Sequence, residues 1–307
     1  MTGLAWGVWF EPTQPVARLV ELARLAEELG ATSCFVADEG TERDVYVALT
    51  AIVSATGLTV APAITNPFSR HPVTTAAAIA TLAELAPGRV IHGVGVGGSR
   101  VLDPIGADPA RPYTALAELL EHNRRLLGGE SIGPARLAWF DGDVPIGVAG
   151  RGPRVQRLAA EKADWVILSA KSMTELPGVA DEVRSRGAAK IAWSAYLAYS
   201  DVERRRVLRH FSYMAVDAPP EIREAVGLDD TTTAEVRTHM LAGRMEEAAA
   251  LLPDAMVDLY AVAGSPEEIA AAIADCRAHF DLFVLPMNDE ATSEGHIRES
   301  ARILQSI

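Results

Sequence analysis

Residues 58–98 read LTVAPAITNPFSRHPVTTAAAIATLAELAPGRVIHGVGVGG and contain one complete strand–helix–strand unit. The apolar run at 58–64 predicts a buried strand, the segment 75–88 predicts a helix that ends at a glycine, and 89–96 predicts the next strand. Both strands lack the alternation of a half-exposed antiparallel sheet. We therefore expect parallel strands that are buried on both faces.

The same alternation of short apolar runs and longer helical segments extends over the whole chain. Further strands are predicted at 5–10, 32–37, 144–149, 165–169, 190–199 and 281–286, and further helices at 15–30, 115–129 and 265–276. Eight strand–helix units favour an α/β fold, the (β/α)8 TIM barrel. A doubly wound open sheet is the alternative, but no glycine-rich turn follows its first strand.

The spacing between strands 7 and 8 is much larger than between the other strands. We expect a helical insertion at about 201–262 within a single barrel domain that spans residues 1–307. The basic run Arg204–Arg206 is expected on a solvent-facing side of an insertion helix.

Composition limits the partners and the compartment. The chain has 307 residues and a net charge of −13, which disfavours nucleic acid and anionic membranes. No apolar run approaches the roughly 18 residues that a membrane span needs. The N-terminus, MTGLAWGVWF, lacks the pattern of a signal peptide, so we expect a cytoplasmic protein. Cys34 and Cys276 are too few and too scattered for a disulfide framework, and no spacing indicates a metal site.

Polar and glycine residues follow several predicted strands, where the active site of a TIM barrel is built. Asp38 and Glu39 follow strand 2 and suit a general base or a partner for a ring; the alternative is an N-cap for the next helix. GRGPR (150–154) follows strand 5 and suits a phosphate at a helix N-terminus; the alternative is a tight strand–helix turn.

Other polar residues are compatible with a structural role as well. Arg70 and His71 suit a substrate or phosphate, but Arg70 also suits an ion pair with a loop acid, and we expect a structural role for His71. Lys171 suits an anionic substrate or the solvated surface. His92 lies in an apolar strand and is expected in the core. The chain has no GxSxG and no HExxH motif, which favours a cofactor that supplies its own chemistry.

The chain resembles the bacterial luciferase-like flavin and deazaflavin oxidoreductases, with the greatest similarity to the branch of methylenetetrahydromethanopterin reductase and other enzymes that use coenzyme F420. The resemblance is carried by residues 41–98, 111–130, 144–169 and 263–273. It implies a deazaflavin, or alternatively FMN, across the C-terminal ends of the barrel strands. It also implies a non-prolyl cis peptide near Ala63–Ile64.

The resemblance implies roles for residues at these positions. Asp38 and Glu39 would be catalytic. The cofactor would be bound by Thr65, Asn66, Arg70, Gly97, Gly98, Gly150, Arg151, Gly152 and Pro153. The substrate would be bound by Trp9, Glu11 and Lys171. Two departures concern the substrate: Trp9 stands where the methanopterin reductases tend to have Glu, and Glu39 stands where many relatives have His.

The function implied is hydride transfer between C5 of the deazaflavin and a small organic molecule with a C=N, C=C or C=O group. An FMN-dependent monooxygenase is the alternative within the family, and a flavin-binding protein without turnover is a third hypothesis. Members of the family are often dimers, so a homodimer is a further expectation.

Overall fold

The computed structural model describes residues 3–287 and 293–307. Asn288, which follows the last predicted strand, lies outside these ranges. Eight strands form one parallel sheet in the order β3-β2-β1-β10-β7-β6-β5-β4. They are β1 Trp6–Phe10, β2 Ser33–Val36, β3 Thr59–Pro62, β4 His92–Val94, β5 Ile146–Ala149, β6 Trp165–Ser169, β7 Lys190–Ser194 and β10 Leu282–Met287. Each of these strands overlaps a predicted strand in sequence.

The sheet closes on itself between β3 and β4. Two parallel bridges, Val60 with Val90 and Thr65 with Val94, join these strands at the ends of the sheet order. The closed parallel sheet with helices between its strands confirms the predicted TIM barrel. The cis peptide predicted at Ala63–Ile64 is present directly after β3.

Helices separate the strands. They are α1 Val16–Glu28, α2 Val45–Ala55, α3 Pro72–Leu85, α4 Ser99–Leu102, α5 Pro112–Leu127, α6 Pro153–Lys162, α7 Leu176–Arg186, α8 Asp201–Val216, α9 Pro220–Ala225, α10 Asp230–Leu241, α11 Met245–Ala250, α12 Ala255–Tyr260, α13 Pro266–Cys276 and α14 Ser293–Gln305. Ser265 and Glu268 form a capping box at the start of α13. Within the two described ranges, no helix is long and apolar enough to cross a membrane.

Strand side chains alternate between two apolar clusters. Val60, Val148 and Ile191 pack with the outer helices, and their sequence neighbours Ala61 and Ala149 belong to a separate cluster formed mainly by strand residues. This alternation is what a barrel with a filled interior requires.

Gly93 and Gly95 allow β4 to approach β3. A Cβ atom on Gly93 would lie 2.0 Å from the Pro62 carbonyl oxygen, and one on Gly95 would lie 1.9 Å from Cδ1 of Ile64. The two glycines thus leave room for the end of β3 and the cis peptide, rather than forming a dinucleotide-binding turn.

The predicted strand at 190–199 is divided into two. Lys190–Ser194 belongs to the barrel, whereas β8, Tyr196–Ala198, pairs with β9, Ala261–Ala263, in a separate two-stranded parallel sheet. Helices α8 to α12 lie between β8 and β9, which confirms a helical insertion between the seventh and eighth barrel strands. The insertion has its own apolar cluster around Phe211, Val236 and Met256.

The expectation of a solvated basic run at Arg204–Arg206 is wrong for Arg206. Its side chain is only 2% exposed and forms an ion pair with Glu203. Its guanidinium also lies 2.9 Å from Nε2 of His296, on α14. Glu203 and Arg206 are three residues apart, so they share the face of α8 that meets His296, whose Nδ1 lies 3.1 Å from Glu203. The ion pair compensates for the cost of burying the two charged side chains.

Candidate functional site

A cavity of about 450 Å³ lies at the C-terminal ends of the barrel strands. Its walls come from the loops after most of the strands and from the insertion. They include Trp9, Glu11, Asp38, Glu39, Ile64, Asn66, Gly97, Gly98, Arg100, Gly150, Arg151, Gly152, Tyr196, Tyr213, Met214, Asp217 and Tyr260. This is the end of a TIM barrel at which active sites are built.

Asp38 is held in a fixed position in the cavity wall. The Thr65 hydroxyl donates a hydrogen bond to its carboxylate at 2.9 Å, and Nε of Arg70 lies 3.7 Å away. Burial raises the pKa of Asp38, against the opposing effects of Thr65 and Arg70. The next helix, α2, is capped by Asp44. Asp38 and Glu39 therefore do not cap α2, which was the alternative role for these two residues.

Glu11 and Glu39 share one arginine across the cavity mouth. Nη2 of Arg100 lies 3.0 Å from Glu11 and 2.7 Å from Glu39, and both carboxylate side chains are at least 85% buried. Burial is the main cause that raises the pKa of Glu39; Arg100 opposes it and Glu11 adds to it.

The segment after β3 is built around Asn66. Its amide oxygen accepts the N–H groups of Phe68 and Ser69, each at 2.9 Å. The amide nitrogen is buried and has no hydrogen-bond partner among the described residues. His71 caps α3, since its Nδ1 accepts the Val73 N–H. The structural role expected for His71 is thus confirmed.

The turn after β5 leaves open space next to the Arg151 side chain. A Cβ atom added to Gly152 would meet nothing within 4 Å, and the same holds for Gly98 on the facing loop. Gly152 is the N-cap of α6, and both Gly152 and Val155 line the cavity, so the start of this helix borders the open space. The Arg151 side chain lines the cavity, and within the described parts of the chain it has no ion pair. Such a turn suits the phosphate of an elongated ligand.

Four of the predicted site residues do not contribute to this wall. They are Thr65, which supports Asp38, and Arg70, Pro153 and Lys171. Arg70 pairs with Asp44, and Lys171 pairs with Glu175 at 2.8 Å. Of the four cations considered, Arg70, Arg100, Arg151 and Lys171, Arg151 is thus the one without a carboxylate partner in the described residues.

The insertion contributes cavity residues that the sequence did not reveal. Tyr213, Met214 and Asp217 come from α8 and its end, and Tyr260 comes from the end of α12. The tyrosines lie on helices with no distinctive motif. A possible signal was their rarity, since the chain has only six tyrosines.

His92, by contrast, lies in the core as expected. It is fully buried, its Nε2 lies 2.7 Å from Oδ1 of Asn123, and burial lowers its pKa to about 4. It does not line the cavity.

The fold and the cavity define a TIM-barrel protein with a large cavity at the C-terminal ends of its strands. More specifically, the chain belongs to the luciferase-like monooxygenase family, whose family model matches residues 5–280. The family predicted from the sequence is confirmed, and with it an enzyme of this family.

Individual relatives are similar over nearly the full length. The chain is 26% identical over 292 residues to the 5,10-methylenetetrahydromethanopterin reductase of Methanolobus tindarius, covering 88% of this chain and 90% of that protein. The structure of the coenzyme F420-dependent tetrahydromethanopterin reductase of Methanopyrus kandleri matches with a TM-score of 0.82 and 21% identity, covering 98% of both chains. An F420-dependent secondary alcohol dehydrogenase in complex with an F420–acetone adduct matches with a TM-score of 0.74 and 18% identity, covering 99% of both chains.

Proposed function

We propose that this protein is a coenzyme F420-dependent oxidoreductase that reduces a small organic molecule, or oxidises the corresponding product. The observation that carries the proposal is the cavity at the barrel mouth, which combines an open glycine turn, two buried carboxylates and Arg151, which has no carboxylate partner among the described residues. Relatives named as methylenetetrahydromethanopterin reductases support the choice of the deazaflavin.

The residues present fit such a cofactor. The orphaned amide nitrogen of Asn66 offers a donor to a carbonyl of a planar ring. The open space at Gly98 and Gly152 admits the chain attached to the ring, and Arg151 offers its guanidinium to the phosphate. When bound, the deazaflavin supplies two-electron hydride chemistry at C5.

The two carboxylates after β2 have different roles in this proposal. Asp38 is fixed by Thr65 and Arg70, so it serves to orient the edge of the ring. Glu39 holds the proton that the substrate takes up, because its pKa is raised and its partner Arg100 is shared with Glu11. The substrate thus gains a proton from Glu39 at the atom that becomes negative on reduction.

The charges around the substrate end favour a substrate without a phosphate. Arg100 is already neutralised by two carboxylates, and Lys171 is paired with Glu175 outside the wall. Trp9 and Tyr196 offer apolar surface beside these groups. We therefore propose a neutral or cationic substrate, and the phosphate-binding role implied for Lys171 is not part of this proposal.

Titration of the purified protein with coenzyme F420 and, separately, with FMN tests the cofactor. We expect saturable binding of F420, followed in the reduced state by its oxidation with one of acetone, cyclohexenone or 1-pyrroline, which represent C=O, C=C and C=N groups. A lack of saturable F420 binding would overturn the proposal. Oxygen uptake with reduced FMN would instead support the alternative of a monooxygenase, the activity for which the family is named.

Substitution of Arg151 by Met should weaken binding of phosphorylated cofactors. A charge-assisted hydrogen bond contributes about 1.5–3 kcal/mol, so we expect a dissociation constant for F420 that is at least roughly tenfold higher. Binding of the same chromophore without its phosphate tail should not change. Arg157→Met, on the exposed side of the helix that follows this turn, α6, is the matched control. Equal affinity of Arg151→Met and wild type for F420 would rule out this role for Arg151.

A further inference from the structure

We propose that Tyr213, on insertion helix α8, is a positioning residue that holds Arg151 ready for the cofactor phosphate. This inference rests on the proposed binding of a phosphorylated deazaflavin or flavin. It assigns a role in cofactor retention to a residue of the insertion, which lies more than 60 positions after the phosphate turn.

The geometry places one tyrosine ring beside two arginines. Cζ of Arg151 lies 5.6 Å from the centroid of the Tyr213 ring, and Cζ of Arg100 lies 5.3 Å from it. Both distances are within the range of about 6 Å in which a guanidinium is attracted to an aromatic face. Tyr213 thus connects the turn after β5 with the charged network after β4.

The two arginines depend on this ring to different degrees. Arg100 is held by Glu11 and Glu39 through direct ion pairs. Arg151 is exposed and has no carboxylate partner in the parts of the chain that the structure describes. A long exposed side chain samples many rotamers, and fixing them on binding costs free energy. A ring that holds the guanidinium at the cavity reduces this cost before the ligand arrives.

The phenol acts here as a neutral ring. Burial raises the pKa of Tyr213, so the hydroxyl keeps its proton at neutral pH. The attraction to Arg151 therefore comes from the aromatic face and not from a phenolate charge. Phenylalanine at position 213 should keep this function, whereas an aliphatic side chain of similar size should lose it.

The test compares Tyr213→Leu, Tyr213→Phe and wild type by fluorescence titration with two ligand pairs: F420 and its chromophore without the phosphate tail, and FMN and riboflavin. For whichever ligand pair the protein binds, we expect Tyr213→Leu to raise the dissociation constant of the phosphorylated ligand by roughly two- to thirty-fold. This is the range that a cation–π contact accounts for. Tyr213→Phe should stay within about twofold of wild type by the same reasoning. The ligands without phosphate should bind all three proteins equally.

The double variant Tyr213→Leu/Arg151→Met separates positioning from general loosening of the insertion. Tyr213→Leu should have no further effect once Arg151 is absent. Additive losses, an equal loss for ligands with and without phosphate, or unchanged F420 affinity in Tyr213→Leu would overturn the inference. If the wild-type protein does not bind F420, the proposed function itself fails, and the role of Tyr213 is then decided by FMN and riboflavin.

Discussion

Glu39→Gln is expected to reduce the rate of substrate reduction by roughly 100-fold or more, the range found when a general acid is removed. Glutamine keeps the size of the side chain and still accepts a hydrogen bond from Arg100, but it has no acidic proton to transfer. The measurement is the rate at which reduced F420 is oxidised by the best of the three test substrates. F420 affinity should be close to that of wild type, because Asp38, and not Glu39, is assigned to the ring.

The pH dependence gives a second readout for Glu39. Because burial raises its pKa, the proton is retained to a higher pH than on an ordinary carboxyl group. The wild-type rate of substrate reduction should fall as the pH rises through the pKa of Glu39. This fall in rate should be missing in Glu39→Gln. Glu42→Gln, an exposed residue three positions away, is the control. A Glu39→Gln rate above a tenth of wild type would exclude the role of proton donor.

Gly93→Ala is expected to have the largest effect on stability. The new Cβ atom would lie 2.0 Å from the Pro62 carbonyl oxygen, which belongs to the backbone of β3 and cannot rotate away. Overpacking of this kind costs about 1–3 kcal/mol or more. We expect a melting temperature lower by roughly 5 °C, or a loss of soluble protein.

Gly178→Ala is the control for this variant. Gly178 lies in α7, where an added Cβ atom meets nothing within 4 Å, so its melting temperature should be unchanged or slightly higher. A Gly93→Ala protein that melts within about 1 °C of wild type would show that β3 and β4 can separate without cost.

The barrel was predictable because its signals are local. Apolar runs at 58–64 and 89–96 mark strands that are buried on both faces, and capping residues such as Ser265 mark where helices begin. The division of 190–199 was not predictable, because β7 and β8 form a continuous apolar run and differ only in the strand with which each pairs. Pairing partners are a tertiary property.

The site was predictable as far as it depends on loops after strands. Asp38, Glu39, Asn66 and Gly152 all lie at the cavity, as their positions in a barrel require. That Arg151 is the one of the four cations considered without a carboxylate partner in the described residues was not predictable, because Arg100 meets Glu11 and Glu39 only through folding. Lys171 and Glu175 are four residues apart, so their pair is local. The contribution of Tyr213 depends on how the insertion folds back, which helical periodicity does not encode.

The two-stranded sheet of β8 and β9 has a consequence for evolution. Tyr196 pairs with Ala261, so the insertion leaves the barrel and returns to it at neighbouring points. A segment with adjacent ends can be exchanged between relatives without altering the register of the barrel strands. The cavity residues that the insertion contributes, such as Tyr213 and Tyr260, can therefore change by replacement of this module while the barrel itself is inherited unchanged. If Tyr213 positions Arg151, an exchanged module without an aromatic ring at this position should bind the phosphorylated cofactor roughly two- to thirty-fold more weakly.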